Sequence, residues 1–157
     1  MPAVKPIPDG YPTLTPYLIV NDGNAAVAFY REAFGARERL RLDSPGGKIG
    51  HAELEIGDSV IMLADEHPEM GALSPNSVGG TPVGLHLYVE DVDAVTARAA
   101  AAGGTVRHLP ENKFYGDRNS TIEDPFGHRW HLSTHIEDVA PDEIARRAAA
   151  LHQGKPS

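Results

Sequence analysis

The alternation of apolar and polar residues predicts short strands, and it is clearest near the end of the chain. Residues 129–133, Arg-Trp-His-Leu-Ser, alternate at a period of two, so that arginine, histidine and serine share one face. The preceding Asp-Pro-Phe-Gly at 124–127 has strong turn chemistry. A strand with one apolar and one polar face is typical of the wall of a polar cavity. We expect its apolar residues, Trp130 and Leu132, to lie in the core.

The same pattern predicts further strands and helices along the chain. The helix over residues 24–34 has an apolar stripe and ends at Gly35. Residues 1–12 carry four prolines and are expected to form an extended arm. Residues 65–82 have the composition of a loop, for which a lid and a linker are both open interpretations. The predicted elements are strands at 13–20, 36–43, 48–56, 59–64, 84–89 and 105–109, helices at 24–34, 91–102 and 141–152, and a hairpin around the turn at 124–127.

The order of these elements repeats once. Residues 18–22 match residues 87–91 at an offset of 69, and Gly57 matches Gly127 at 70. A nearly constant offset across strand, helix and turn indicates an internal repeat. The sequence therefore predicts an α+β fold of two βαβββ modules within one structural domain, forming a cup-shaped mixed sheet around a cavity. The predicted parts are an arm at 1–12, a first module at 13–66, a connecting loop at 67–82, a second module at 83–136, and a C-terminal helix and tail at 137–157.

Charge and composition narrow the class of partner. The chain has 157 residues with 14 basic against 22 acidic side chains, a net charge of −8. This balance argues against nucleic acids and anionic membrane surfaces as partners. The absence of cysteine excludes disulfides and thiol nucleophiles. The N-terminal segment has no apolar stretch typical of a secretion signal, so the expected location is the cytoplasm.

Four stretches resemble a known family. They are V-N-D-G-N-A-A-V-A-F-Y at 20–30, L-Y-V-E-D-V-D-A at 87–94, Y-G-D-R at 115–118 and E-D-P-F-G-H-R-W-H-L at 123–132. The chain resembles the vicinal oxygen chelate superfamily, which includes glyoxalase I, extradiol dioxygenases and the bleomycin- and fosfomycin-resistance proteins. Within the superfamily it looks most like the PhnB-like branch. Many chemistries share this scaffold, so the resemblance implies a fold more than a reaction.

The resemblance also implies positions for a metal. Family enzymes that use a metal hold it with side chains from the first and fourth strands of each module. These positions fall on Thr15, Gly84, His131 and either Ile61 or, with a one-residue slip, Met62. Only His131 is a competent ligand for a divalent transition metal. The chain therefore departs from the metal-binding pattern of the family.

Two further histidines leave a displaced metal site open. His86 follows Gly84 by two residues and shares its face, which could bring it near His131 if the two strands are neighbours. His51 shares a face with Glu53. A site of His86, His131 and a carboxylate would suit zinc, iron or manganese. The alternative is that these histidines form hydrogen bonds to an organic ligand, or that one of them acts as a general base.

Five other residues are candidate ligand contacts. Tyr17 and Tyr88 are expected to form an aromatic wall, because their spacing places them on the same faces as Thr15 and His86. Tyr115 and Arg118 either border the cavity or belong to an exposed turn.

For the two arginines, exposed ion pairs compete with ligand binding. In the exposed turn, Arg118 would pair with Asp117 or Glu123. Arg129 shares the face of His131 and could bind an anion or form a salt bridge at the rim.

Two functions follow as hypotheses. The first is a protein that sequesters a small organic molecule with aromatic rings and hydrogen bonds, as resistance proteins of this family do. The second is a metal-dependent lyase, isomerase or dioxygenase with a displaced site around His86 and His131. A third, weaker option is an interaction module with a vestigial cavity. A homodimer is expected in each case.

Overall fold

The computed structural model describes residues 3–153. The chain divides into two compact units, which we call the first and second modules. The first comprises the residues up to 82 together with 125–128, and the second comprises 83–124 and the residues from 129 onward. Within the described residues there are two four-stranded sheets and four α-helices, and none of the helices is long and apolar enough to cross a membrane.

The first module is a βαβββ unit followed by a short helical segment. Its sheet has the strand order β1-β4-β3-β2, with β1 parallel to β4 and the other neighbours antiparallel. Its elements are β1 (Tyr17–Val20), α1 (Gly23–Phe34), β2 (Arg37–Ser44), β3 (Lys48–Ile56), β4 (Ser59–Asp65), a 3₁₀ turn (Pro68–Met70) and α2 (Pro75–Val78). The stretch predicted as an irregular loop thus contains two short helical turns.

The second module repeats this arrangement. Its sheet has the order β5-β8-β7-β6, again with the first strand parallel to the last. Its elements are β5 (Gly84–Tyr88), α3 (Val92–Ala101), β6 (Thr105–Asn112), β7 (Asp117–Glu123), β8 (Arg129–His135) and α4 (Pro141–Gln153). The predicted α+β fold of two βαβββ modules is confirmed.

The pairing register corrects one detail of the repeat. Tyr17 pairs with Met62 in the first module, and His86 pairs with His131 in the second. Because Tyr17 and His86 are equivalent at an offset of 69, Met62 rather than Ile61 is the equivalent of His131. Ile61 is buried in the core instead. The offset of 70 between the turn glycines had pointed to Ile61. It does not hold along the following strand, because the β3–β4 and β7–β8 connections differ in length.

Capping side chains and a glycine fix where α1 and α3 begin and where α1 ends. Asp22 caps α1 by accepting a hydrogen bond from the Ala25 amide at 3.1 Å, and Asp91 caps α3 in the same way through Ala94. Gly35 ends α1 with φ at 70°, a left-handed conformation that favours glycine. These caps fix where each helix begins relative to the strand before it.

The helices α1 and α3 each cover one face of their own sheet. In the first module Phe29 and Tyr30 on α1 pack edge-on against Phe126, which comes from the turn predicted at 124–127. In the second module Trp130 and Leu132 are buried, as predicted. The buried side chains of α3 are Val92, Val95, Thr96 and Ala99. The face of each sheet opposite this helix carries the candidate site residues.

A buried pair of hydroxyl groups links α3 to β7, and its removal gives a test of the core. Thr96 Oγ1 donates to the Val92 carbonyl at 2.6 Å and lies 2.7 Å from Ser120 Oγ. Either Thr96→Val or Ser120→Ala should lower the free energy of unfolding by about 1–2 kcal/mol, because each leaves a buried partner unsatisfied.

In the double variant the free energy of unfolding should fall by less than the sum of the decreases in the two single variants. The difference should be about 0.5 kcal/mol or more, since both unsatisfied groups are then removed together. Urea unfolding of the four proteins measures this difference. Ser59→Ala, an exposed change in the first module, is the matched control and should add to Thr96→Val without coupling. Strict additivity of Thr96→Val and Ser120→Ala would contradict the assignment.

Candidate functional site

The polar face of the second module carries a row of side chains across its four strands. His86 on β5 pairs with His131 on β8, which pairs with Thr121 on β7, which pairs with His108 on β6. Side chains directly opposite one another across neighbouring strands share a face of the sheet. Three histidines and one threonine therefore lie side by side, on the face opposite α3.

The ring of His131 is held by its neighbours in this row. Its Nδ1 lies 3.2 Å from Thr121 Oγ1, and its ring centroid lies 6.5 Å from that of His86. A Cβ added to Gly84 would be 2.6 Å from His131 Nε2. The glycine therefore leaves the space that the imidazole ring occupies. This is a close approach that no larger residue at position 84 would permit without displacing the ring.

His131 is uncharged at neutral pH. Burial lowers the pKa of its imidazole, and the positive charges that His86, Arg129 and His108 can carry lower this pKa further. A neutral imidazole offers one donor and one acceptor. His131 therefore presents hydrogen-bonding capacity to a ligand without a fixed charge.

Two adjoining cavities open along this face. One, of about 320 Å³, is lined by the histidine row, by Tyr115 and Asn119, by Leu109 as an apolar contact, and by Lys113 and Glu111, whose opposite charges pair with each other at 3.6 Å. The other, of about 450 Å³, is lined by Tyr88, Tyr115 and residues that lead into α4. Tyr115 lines both cavities, and its hydroxyl is hydrogen-bonded to the Asn119 amide. Cavities of this size suit small organic molecules.

A second polar cluster lies at the end of β8. His135 Nδ1 is 2.7 Å from Asp117 Oδ1, and His135 Nε2 is 2.8 Å from Asp138 Oδ1. Both ring nitrogens must carry protons to donate to two carboxylates. These hydrogen bonds raise the pKa of His135, and the negative charges of Asp138 and Asp117 add to the effect. Asp117 also accepts a hydrogen bond from the Tyr88 hydroxyl at 2.9 Å.

The sequence had suggested different partners for the arginines. Arg118 projects toward α3 and forms a bidentate pair with Asp93 at 2.8 and 2.9 Å, rather than the predicted pair with Asp117 or Glu123. Glu123 instead accepts from Arg107. The structure therefore does not bring Arg118 to the histidine face. Arg129 is exposed, on the same face as His131.

The first module holds the other two predicted site residues, Tyr17 and His51. The Tyr17 hydroxyl lies 2.9 Å from His51 Nδ1, and His51 Nε2 lies 2.9 Å from Glu53 Oε2. The Tyr11 hydroxyl donates to Glu53 Oε1 at 2.6 Å. Burial raises the pKa of Glu53, but the hydrogen bonds from His51 and Tyr11 outweigh it and leave the pKa below its ordinary value.

Sequence reasoning missed several of these residues. Tyr11 lies in the proline-rich arm, and nothing in its neighbours indicates a partner 42 residues away. His135 follows the alternating run but lies beyond its last clearly apolar position, and no local pattern indicates its pairing with Asp117. A period of two continued from His131 places His135 on the polar face, and the same period counted back from Thr121 along β7 places Asp117 there.

The donor set does not fit the family metal site. Among residues 3–153, no three His, Asp or Glu side chains are grouped so that they could hold a metal ion. Thr15 precedes β1, Met62 offers only a thioether at the fourth-strand position, and the His131 ring occupies the space above Gly84. His86 and His131 are neighbours, as the sequence suggested, but none of the described carboxylates forms a group of three with them that could hold a metal ion.

Comparisons with known proteins agree with this architecture. The model of a family described as the Glyoxalase/Bleomycin resistance protein/Dioxygenase superfamily matches residues 12–132. The chain belongs to this superfamily. This chain is 44% identical to the uncharacterized protein Mb0911c of Mycobacterium bovis over 146 residues, which cover 91% of this chain and 95% of the relative.

Solved structures show the same fold. TioX from Micromonospora sp. ML1 is 29% identical, with a TM-score of 0.63 over 78% of this chain and 98% of its own. A glyoxalase/bleomycin resistance protein/dioxygenase family enzyme from Burkholderia phytofirmans is 22% identical, with a TM-score of 0.62 over 76% of this chain and 95% of its own. The second likeness supports the fold alone.

The close approach at Gly84 gives a test of the His131 position. Gly84→Ala should displace the His131 ring and lower the free energy of unfolding by about 0.5–1 kcal/mol, since the added methyl group forces the ring out of its preferred rotamer. The NMR signals of the His131 ring should shift. In a His131→Ala background the same Gly84→Ala change should lower the free energy of unfolding much less, because the ring is absent. Equal costs in both backgrounds would contradict the observed contact.

His135 gives a pH test. Its pKa is raised in the folded protein, so its stabilising effect is fully present below the unfolded pKa of about 6.5 and is lost as pH rises through the folded pKa. His135→Gln should therefore lower the melting temperature more at pH 5.5 than at pH 9. Asp138→Asn, which removes one of the two carboxylates, should show the same trend more weakly. A decrease in melting temperature that is the same at both pH values would contradict an ionic interaction of His135 with the two carboxylates.

Proposed function

We propose that the polar face of the second module binds and sequesters an uncharged small organic molecule that contains a flat ring, without a metal ion. The observation that carries this proposal is His131, a partly buried imidazole with a lowered pKa, fixed between Thr121 and the glycine gap at position 84. A neutral ring held in this way suits hydrogen bonding to a neutral ligand better than it suits binding of an anion.

The surrounding groups support the same ligand chemistry. His86 and Tyr88 form an aromatic surface, with ring centroids 5.0 Å apart, on which a flat ring could stack. Thr121 and Asn119 supply hydroxyl and amide groups beside it. Leu109 supplies an apolar contact. The ligand would thus be recognised by stacking and by directed hydrogen bonds.

We further propose that the protein is a cytoplasmic homodimer of the PhnB-like branch. The four motif stretches support the branch. Exposed leucines on the outer strands support self-association: Leu42 on β2 and Leu109 on β6 are 55% and 75% exposed. Light scattering combined with gel filtration measures the oligomeric state directly.

The second candidate function is metal-dependent chemistry around His86 and His131. The observation that favours it is their direct pairing across β5 and β8. A divalent metal such as zinc requires at least three protein ligands in a catalytic site, and the third is absent from the described side chains around this pair. We therefore place sequestration first.

Thermal-shift screening with neutral bicyclic heteroaromatic compounds, such as quinolines, benzimidazoles and purines, tests the proposal. A ligand present at 100 times its dissociation constant should stabilise the folded protein by about 2.7 kcal/mol. His131→Ala should weaken the binding of any hit at least about tenfold, a loss that corresponds to one or two hydrogen bonds.

His67→Ala is the matched control, because His67 is an exposed histidine outside these cavities. It should leave binding unchanged. Stabilisation by Zn²⁺, Fe²⁺ or Mn²⁺ alone, lost in His131→Ala, would favour the metal-dependent alternative. Failure of the whole panel, or hits that are indifferent to His131→Ala, would count against sequestration at this face.

A further inference from the structure

The network in the first module has the form of a proton relay. It runs from the Tyr17 hydroxyl to His51 and then to the carboxylate of Glu53, with both links at 2.9 Å. Glu53 is only 4% exposed, whereas Tyr17 is 47% exposed. One end of the chain is therefore a buried negative charge, and the other end is a phenol that faces solvent.

The direction of the hydrogen bonds follows from the buried carboxylate. The lowered pKa of Glu53 keeps it ionised, so it can only accept, and His51 Nε2 must carry the proton that it receives. In the neutral imidazole Nδ1 is then an acceptor, and the Tyr17 hydroxyl donates to it. This is the orientation in which an imidazole can remove a proton from a hydroxyl group.

Tyr17 also lines a cavity. This cavity, of about 600 Å³, lies within the first module beside the segment that follows β4, and Tyr17 and Ile19 form part of its wall. Its charged lining residues are the acidic Asp65, Glu66 and Glu69, and the basic Lys48 and His67, of which His67 is paired with Glu69 at 2.7 Å. The excess of carboxylates favours uncharged or cationic ligands over anions.

We propose that Tyr17, His51 and Glu53 form a proton-transfer site that acts on an uncharged or cationic carbonyl or hydroxyl compound in this cavity. The Tyr17 oxygen accepts a proton from the hydroxyl group of the ligand, or from the carbon next to its carbonyl group, as its own proton passes to His51 Nδ1. The O–H or C–H bond of the ligand breaks, and its electron pair stays on the ligand as an alkoxide or an enolate. The resulting imidazolium is stabilised by Glu53, and the reverse transfer returns the proton to the product. One proton moves in each direction and no electrons are exchanged, so no co-reactant is required.

The phenol needs this base to react. Burial raises the pKa of Tyr17, and the charge of Glu53 raises it further, so the hydroxyl stays protonated at neutral pH. Any reactivity must therefore come from proton removal by His51 during bond formation. The groups that face His51 are Tyr17, Glu53 and, through Glu53, Tyr11 and Arg39.

The second module supplies an internal control for this property. Tyr88 is 61% exposed, and its hydroxyl donates to Asp117 at 2.9 Å. A carboxylate is a much weaker base than an imidazole, with an ordinary pKa near 4 against about 6.5. Tyr17 and Tyr88 are both exposed, hydrogen-bonded phenols. They differ chiefly in the base that accepts the hydrogen bond, which is the imidazole of His51 for Tyr17 and the carboxylate of Asp117 for Tyr88.

Labelling with an aryl sulfonyl fluoride tests the proposal on the whole protein. The Tyr17 oxygen attacks the sulfur, the S–F bond breaks, fluoride leaves, and the phenolic proton passes to His51 and then to solvent. Peptide mass spectrometry measures the labelling rates of Tyr17 and Tyr88 in the same sample. We expect Tyr17 to react at least about tenfold faster, within the range of general-base effects.

His51→Gln should reduce the Tyr17 rate to that of Tyr88, because the base that takes the phenolic proton is then absent. Glu53→Gln should reduce the rate while His51 is still present, because the amide no longer fixes its tautomer. Asp117→Asn is the matched control and should leave the Tyr17 rate unchanged.

The wild-type comparison remains decisive even where a variant folds poorly. Equal rates for Tyr17 and Tyr88 in the wild type would overturn the proposal, and so would a Tyr17 rate that is unchanged in a folded His51→Gln protein. The site lies in the first module and the proposed sequestration site in the second. Each can therefore fail without the other.

Discussion

Parallel pairing of the first and last strands of each module is the constraint on which both candidate sites depend. It places Tyr17 beside Met62 in one sheet and His86 beside His131 in the other. A parallel pair needs a long crossover connection, and in each module this connection contains the helix and two antiparallel strands. The helix covers one face of the sheet, and the side chains of both candidate sites lie on the opposite face.

The equivalent row of positions has diverged between the two modules. In the second it holds His86, His131, Thr121 and His108, and in the first it holds Tyr17, Met62, Glu53 and Leu40. The His131 position is a thioether in the first module, so the two rows cannot share one metal chemistry. Instead, the second row offers three imidazoles, of which His131 has a lowered pKa, and the first offers a phenol connected through His51 to a buried carboxylate.

The strands, the helices and the faces of most side chains follow from local patterns, and so they were predictable. The period of two put His86 and His131 on one face, and the strand order of the family put them side by side. The partners of buried charges were not predictable in this way. Glu53 accepts a hydrogen bond from Tyr11 in the arm, and Arg118 pairs with Asp93 on a helix. Both are tertiary contacts between residues far apart in the sequence, and such contacts leave no local pattern.

The same physics explains why the two exposed tyrosines have different capacities. Each hydroxyl donates to a neighbouring acceptor, and the pKa of each phenol is raised. The main cause is burial for Tyr17 and the hydrogen bond to Asp117 for Tyr88. A carboxylate holds the phenolic proton in place but is too weak a base to take it. An imidazole backed by a buried carboxylate can take it, since the charge that forms on the ring already has its counter-charge within 2.9 Å.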